Sequence, residues 1–403
     1  MRWPGWQHSC VVALALVVFV LAAGSARATP KPVHNVHSPE LDALYAQILR
    51  HPQDTNLNLR FARAAEKAGV LRWALSAYER VTVNNPANAE AQAGLQRIRR
   101  KLQPDVSQVT LAFGTAVETN PRYYVGPKRT EGEGLASAIL YDERSIGDMR
   151  WRTTGAVNGR IYSKSHDLDY GKAILDTGPV IDILPGWAMV PTVGGAAAYY
   201  DHHFFYGEGA VGATFESATQ RAFRSLQLRA AYRSYDKFFP TSSGFYMEAR
   251  GHLAFPNLLG NGSVLILSPW ARYSDMSGTY LSPLVGDLQP GAYWELGGKV
   301  EALKPVTSWL TLGAELSAIQ RHYRADRVAT TGAKRNDTLL IPGATVLFPH
   351  VFSYRTNVRV TYHYIHDHSN DSSKSFDDHV VMASLVYRFD PRILFAAPAE
   401  PAR

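Results

Sequence analysis

Three groups of residues in this 403-residue chain have types and spacings that could do chemistry. Gly207, Gly209 and Gly212 spell G-x-G-x-x-G, the fingerprint of a dinucleotide-binding turn. That use requires a strand before the glycines and a helix after them, inside a βαβ unit. Here Ala213 to Gln220 run on with strand-like alternation, so small residues within a strand account for the glycines. His363, His366 and His368, with His202 and His203 elsewhere, offer imidazoles to a metal. Their H-x-x-H-x-H spacing fits no standard helical metal site. They fall where a strand leaves its sheet, and a polar rim is the simpler role. No metal ligand is assigned.

The third group is a set of arginines on the polar side of alternating segments: Arg150, Arg152, Arg160, Arg229, Arg233, Arg355 and Arg359. They form either a substrate track or one half of ion pairs with Glu295, Glu301 and Glu315, and the sequence leaves both open. Neither G-x-x-x-x-G-K-[ST] nor H-E-x-x-H occurs. Loops hold many Ser, Asp and His residues, but no pairing among them follows from sequence. No catalytic residue, cofactor or nucleic-acid partner is expected, and the chain does not read as an enzyme.

The elements that carry these residues begin with a leader. Arg2 is followed by the apolar run Val11 to Ala23, and Ala26-Arg27-Ala28 places small residues for cleavage before Thr29. The run is too short for a transmembrane helix. Residues 1–28 therefore read as a signal peptide. Its removal takes Cys10, the chain's one cysteine, so no disulfide or cysteine-ligated metal is expected. It also takes Arg2 and Arg27 and no acid, so the net charge falls from +7 to +5. The chain holds 21 Tyr, 16 Phe and 8 Trp beside only 19% charged residues, which suits a barrel with an apolar outer face and aromatic girdles.

Residues 39–102 lack period-2 alternation and are rich in helix formers. Ala62, Gly69, Ala74 and Tyr78, counted back from Pro86, fall on the small, glycine and aromatic positions of a 34-residue pattern, and Pro52 lies one period earlier. The segment resembles a tetratricopeptide repeat, with Asn58 and Ala65 departing from its preferred aromatics. Asn56, Leu59, Arg63, Glu66 and Lys67 share one helix face, which in such repeats lines the concave groove. Peptide binding and a merely solvated face stand side by side.

From Val106 the pattern changes to short alternating runs. Tyr354, Thr356, Val358, Val360, Tyr362 and Tyr364 alternate with Arg355, Asn357, Arg359, Thr361 and His363. This predicts strands near 106–117, 133–143, 149–163, 169–184, 187–200, 206–219, 223–236, 243–255, 263–274, 290–303, 309–322, 337–347, 352–366 and 377–389. Short turns at Pro185-Gly186, Pro256 to Gly262, Lys304-Pro305 and Phe348-Pro349 alternate with longer polar connections at Asp275 to Leu288, Tyr323 to Asn336 and Asp367 to Phe376. Short inner turns and long outer loops mark a transmembrane antiparallel barrel of about 14 strands. The expected fold is thus α + β in separate domains: a short TPR-like helical module at 39–102, a barrel at 106–389, and a tail at 390–403. Phe389, the last outward aromatic of Tyr-Arg-Phe, reads as the barrel insertion signal, so that insertion machinery and outer-membrane lipid are partners. At this strand number a narrow or plugged lumen is expected.

Gly114 to Tyr124 (GTAVETNPRYY) and Val360 to Phe389, with Asp377-Asp378-His379, are similar to stretches of the surface lipoprotein assembly modulator (Slam) family, as is the order of leader, helical repeat and barrel. The short repeat region and the C-terminal tail depart from that family. The resemblance implies an outer-membrane protein with a periplasmic N-terminal domain that delivers a lipoprotein or secreted protein cargo to the cell surface. Cargo or a periplasmic chaperone would engage the helical module; the strand alternation, separately, places Arg229, Arg233, Arg355 and Arg359 in the lumen. The alternatives are an exopolysaccharide-export porin and a plain solute channel with a periplasmic appendage.

Overall fold

The computed structural model describes residues 39–391, apart from 86–87, 103–104, 124, 126–127, 148, 185, 220, 240–242 and 277–290. The expected leader, and all but the first two residues of the expected tail, lie outside the described residues. Four helices come first: α1 (Pro39–Arg50), α2 (Thr55–Lys67), α3 (Leu71–Asn84) and α4 (Ala89–Leu102). Asp54 starts α2, its carboxylate accepting the Leu57 N–H at 3.0 Å. Gly69, at φ 76°, ends it in the left-handed conformation that only glycine adopts without strain. Asn88 caps α4 by accepting the Ala91 N–H at 2.8 Å.

Ala62 and Ala74 are fully buried and let these helices approach closely, while Tyr78 fills the space beside them. Tyr78 in turn requires Gly94 on α4, where a Cβ would come within 2.4 Å of the ring. The buried Asn58 ties the loop before α2 to α3: its amide donates to Pro52 O and Asp54 O, and its oxygen accepts from Arg80.

The rest is one closed barrel of fourteen antiparallel strands, each paired with its sequence neighbours, with β1 joined to β14. The strands are β1 (Val106–Glu118), β2 (Glu131–Ile146), β3 (Met149–Tyr162), β4 (Tyr170–Leu184), β5 (Trp187–Tyr200), β6 (His203–Ala218) and β7 (Phe223–Tyr235). They continue as β8 (Gly244–Pro256), β9 (Val264–Asp275), β10 (Ala292–Thr307), β11 (Leu310–Arg327), β12 (Lys334–Phe348), β13 (Thr356–Ser369) and β14 (Phe376–Phe389). Because β1 begins and β14 ends at the same rim, the helices join the barrel there. Connections at this near rim are short (147–148, 185–186, 219–222, 308–309), with longer ones at 257–263 and 349–355. The far rim carries the longest, 119–130 and 276–291.

The period of two sorts the side chains. Phe113, Val117, Val193, Val211, Leu296, Leu316 and Val381 point outward and are exposed, forming an apolar band. Aromatic rings flank it. Trp151, Phe255, Trp309 and Phe348 lie toward the near rim, and Tyr199, Phe204, Tyr232, Phe245 and Trp294 toward the far one. The inward face carries the charges. An apolar exterior, charged interior and two aromatic girdles are the construction of outer-membrane barrels. No helix among the described residues is long and apolar enough to cross a membrane.

Several expected boundaries move. The turn placed at Lys304-Pro305 is strand, because β10 absorbs Pro305 with a register irregularity and turns at 308–309. The loop expected from Tyr323 to Asn336 shrinks to 328–333, since β11 and β12 project past the apolar band. Strand β13 begins at Thr356 rather than 352. Arg355 therefore sits in the near-rim turn, its guanidinium 4.9 Å from the Tyr354 ring, and does not line the lumen.

Candidate functional site

The strands place most charged residues of the barrel in its lumen, where they pair across adjacent and more distant strands. Arg229 on β7 bonds Asp176 on β4 at 2.6 Å and Glu208 on β6 at 2.8 Å. Arg233, four residues on and nearly inaccessible, bonds the other oxygen of Glu208 at 2.6 Å. Arg152 joins Glu143 to Glu216, and Glu295 receives both Arg272 and Arg321. Arg359 meets Glu301 at 3.2 Å, and Lys299 bridges Glu301 and Glu315. His363 reaches Glu315 over the intervening strand because Gly343 lies between them. Burying a charge is tolerable only when it is paired in this way.

The ion-pair account of the inward arginines thus describes Arg150, Arg152, Arg160, Arg229, Arg233 and Arg359. Among the acids expected as partners, Glu301 meets Arg359. Glu295 and Glu315 serve other cations, and the partners Glu143, Glu208 and Glu216 were not singled out by sequence.

Toward the far rim this wall closes up into a packed ring of side chains. Every strand presents there an inward residue no more than 8% exposed, from Glu118 on β1 through Tyr206, Tyr235, Tyr246 and Tyr293 to Asp378 on β14. Tyrosines dominate, and arginines stack on them. Arg233 lies 4.9 Å from the Tyr206 ring and 4.0 Å from that of Tyr246, and Arg321 lies 5.0 Å from that of Tyr293. Near the middle of the barrel the wall has open positions: Ile139, facing inward, is 52% exposed and the Arg250 side chain 45%. The packed ring runs through all fourteen strands.

One side of this closure joins two stretches set apart in the sequence. Asp378 accepts Thr119 N–H at 3.0 Å, the Thr119 hydroxyl at 2.8 Å and Asn120 N–H at 2.8 Å, which clamps the end of β1 to β14. Tyr123 packs on Phe376 with centroids 5.0 Å apart and donates its hydroxyl proton to Glu118. Arg122 binds both oxygens of Asp167 at 2.7 Å, so the 119–130 connection is tied to the next one. That guanidinium holds the exposed Asp167 carboxyl below its ordinary range. The seam closes by ten residue pairs, Val109↔Phe389 to Glu118↔Val380. Phe389 points outward and lies 5.4 Å from the Tyr387 ring.

On the helical module the five expected groove residues divide. Asn56 and Lys67 are exposed. Leu59 is 5% exposed and belongs to the helical core, which removes it from any binding face. Its place on the α2 helical wheel falls on the side covered by neighbouring helices. Arg63 is bonded to Glu90 at 2.6 Å and Glu66 to Arg97 at 2.7 Å, so both pin α2 to α4. The Arg97 hydrogen bonds keep Glu66 below the ordinary carboxylate range against the opposing effect of burial.

The expected histidine group is split by the strand's alternation. His363 faces the lumen, whereas His366 and His368 face outward. His202 and His203 lie at the far-rim turn between β5 and β6.

No protein-family model matches the chain, and no curated protein matches it. Solved barrels resemble it in outline. A loop-L8 deletion mutant of OmpT, an outer membrane protein of Vibrio cholerae, is 8% identical, covering 71% of this chain and 100% of its own at TM-score 0.38. A bacterial polysaccharide outer membrane secretin is 9% identical, covering 70% and 98% at TM-score 0.37. Pseudomonas aeruginosa OccK2 (OpdF) is 9% identical, covering 70% and 98% at TM-score 0.35. Similarity at this level bears on no assignment of function.

Proposed function

We propose that this chain is a gated outer-membrane exporter that passes a lipoprotein or secreted polypeptide from the periplasm to the cell surface. The near rim and the helices face the periplasm, and the far rim faces outside. The observation that carries this reading is the ring of packed tyrosines, arginines and acids around the far-rim level of the lumen wall, which on this reading is the gate. A constitutive solute channel needs a continuous aqueous path, which on this reading the ring interrupts at rest. An anionic polymer calls for an unpaired basic track, whereas these arginines are matched by carboxylates. A polypeptide carries charges of both signs and apolar groups, and suits a wall that offers the same.

The helical module gives a handling surface at the entrance, although with Leu59 buried and Arg63 and Glu66 engaged its contacts centre on the exposed Asn56 and Lys67. The similarity to surface lipoprotein assembly modulators points the same way, as does the order of elements. Deleting the gene tests the proposal: a surface protein should become resistant to protease shaving of intact cells and accumulate in the periplasm. Loss of surface polysaccharide with all surface proteins displayed normally would assign the chain to glycan export instead.

A further inference from the structure

The far-rim girdle differs between the two sides of the barrel. On β5 to β8 it is built of rings: Tyr199 packs edge-on against Phe204, and Tyr232 against Phe245. On β11, β13 and β14 outward positions at the same rim carry imidazoles. His322 on β11 stacks on Trp294 at 4.0 Å and bonds Asn336 at 2.6 Å. On the two closing strands the group is tighter. Asp377 accepts the Tyr364 hydroxyl at 2.6 Å and lies 2.7 Å from His366 Nδ1. The Tyr362 hydroxyl lies 2.9 Å from His379 Nδ1, and the Tyr364 ring lies 5.0 Å from that of His379. His368 is a further exposed, outward-facing ring two residues beyond His366. With Nδ1 engaged inside the group, His366 and His379 are held in fixed orientation and keep Nε2 for an outside partner. Lys128, in the connection after β1, is within electrostatic reach of Asp377 and adds a cation.

The strands decide what covers this face. Val360, Val381 and Ala383, the next outward residues toward the near rim, belong to the apolar band, so the imidazoles stand at headgroup level of the outer leaflet. We propose that His366, His368 and His379, with Lys128, form a docking surface for the phosphate groups of an outer-leaflet phosphoglycolipid. It anchors the β13–β14–β1 side of the barrel, where the closure clamp lies. Imidazole and ammonium N–H groups donate to phosphate oxygens, and such charge-assisted bonds are the strong ones. The proposal rests on the outer-membrane orientation given above.

The test uses the full chain in phosphatidylcholine nanodiscs containing either bisphosphorylated lipid A or its dephosphorylated form, with bound glycolipid counted by native mass spectrometry. Wild type should favour the phosphorylated form by about tenfold, and H366Q/H368Q/H379Q should lose that preference, as expected for one or more charge-assisted bonds. Equal retention of the two glycolipids by wild type overturns the proposal, and so does a preference that survives in the triple variant. Heat-modifiable gel mobility confirms folding of each variant, and H379Q alone serves should the triple variant fold poorly. Failure of wild type to enter nanodiscs at all would refute the membrane reading, a distinct result from equal retention. Phe204→Leu, on the aromatic side, should leave the preference intact.

Discussion

Arg233 lies with its guanidinium carbon 4.0 Å from the centre of the Tyr246 ring, so a cation on β7 is covered by an aromatic face on β8 inside the lumen. The same guanidinium is paired with Glu208 and borders Tyr206. It thus joins charge pairing to aromatic packing at the far-rim level of the lumen.

Arg233→Ala should open the closure. The change removes one partner of a buried pair, at a cost of about 3–5 kcal/mol, and takes the packing partner from two tyrosines. In planar bilayers wild type should show little ion conductance and the variant should conduct. Arg250→Ala, whose side chain already meets water, should behave as wild type. A wild-type protein that conducts steadily would mean that the far rim does not seal.

Gly343 provides a second check on the lumen. A Cβ there would come within 2.6 Å of His363 Cδ2 and 2.9 Å of Glu315 Cγ. Gly343→Ala should therefore separate this pair and lower stability by about 1–3 kcal/mol. Adding His363→Ala should recover part of the loss in denaturant titrations. An unchanged midpoint for Gly343→Ala would show that the wall yields there.

Assembly of the barrel depends on the last strand. Phe389→Ala removes an outward aromatic from the seam, worth about 1.5–3 kcal/mol of apolar burial, and should reduce the yield of heat-modifiable protein in the outer membrane. Deleting residues 392–403 should leave that yield unchanged. Equal yields for Phe389→Ala and wild type would remove Phe389 from the insertion signal.

The helical module should respond to acid. Glu66 is held below its ordinary range, chiefly by the Arg97 hydrogen bonds. A carboxyl depressed in the folded state contributes stability above its unfolded pKa, and that contribution is lost as pH falls through the folded value. Protection of residues 39–102 from protease should therefore hold near neutrality and weaken as the pH falls below the ordinary carboxylate range. Arg97→Ala should make the module weaker at neutral pH and less sensitive to acid. A wild-type module equally protected across that range would remove the pair from its stability.

The strand pattern was legible because lipid and water impose opposite demands on alternate residues. Strands such as β5 and β9 lie within two residues of their expected bounds for that reason. Alternation says less outside the apolar band. Arg324, Asp326 and Arg327 look like loop, yet they prolong β11. Tyr354-Arg355 continues the alternation of β13 but belongs to a turn. Leu59 has the spacing of a groove residue, and only the packing of α1, α3 and α4 around α2 shows it to be core. Pairing partners far apart in sequence, such as Asp176 with Arg229 or Asp378 with Thr119, follow from barrel closure and register, which no local pattern encodes.

The central claim is that a polypeptide occupies this lumen during export. A photoreactive amino acid at position 139, inward-facing and half-exposed, should crosslink a secreted or surface protein in living cells. The same group at position 113, outward-facing on β1, should capture no such protein. Absence of any polypeptide adduct at position 139, in cells whose surface proteins are being exported normally, would contradict the account.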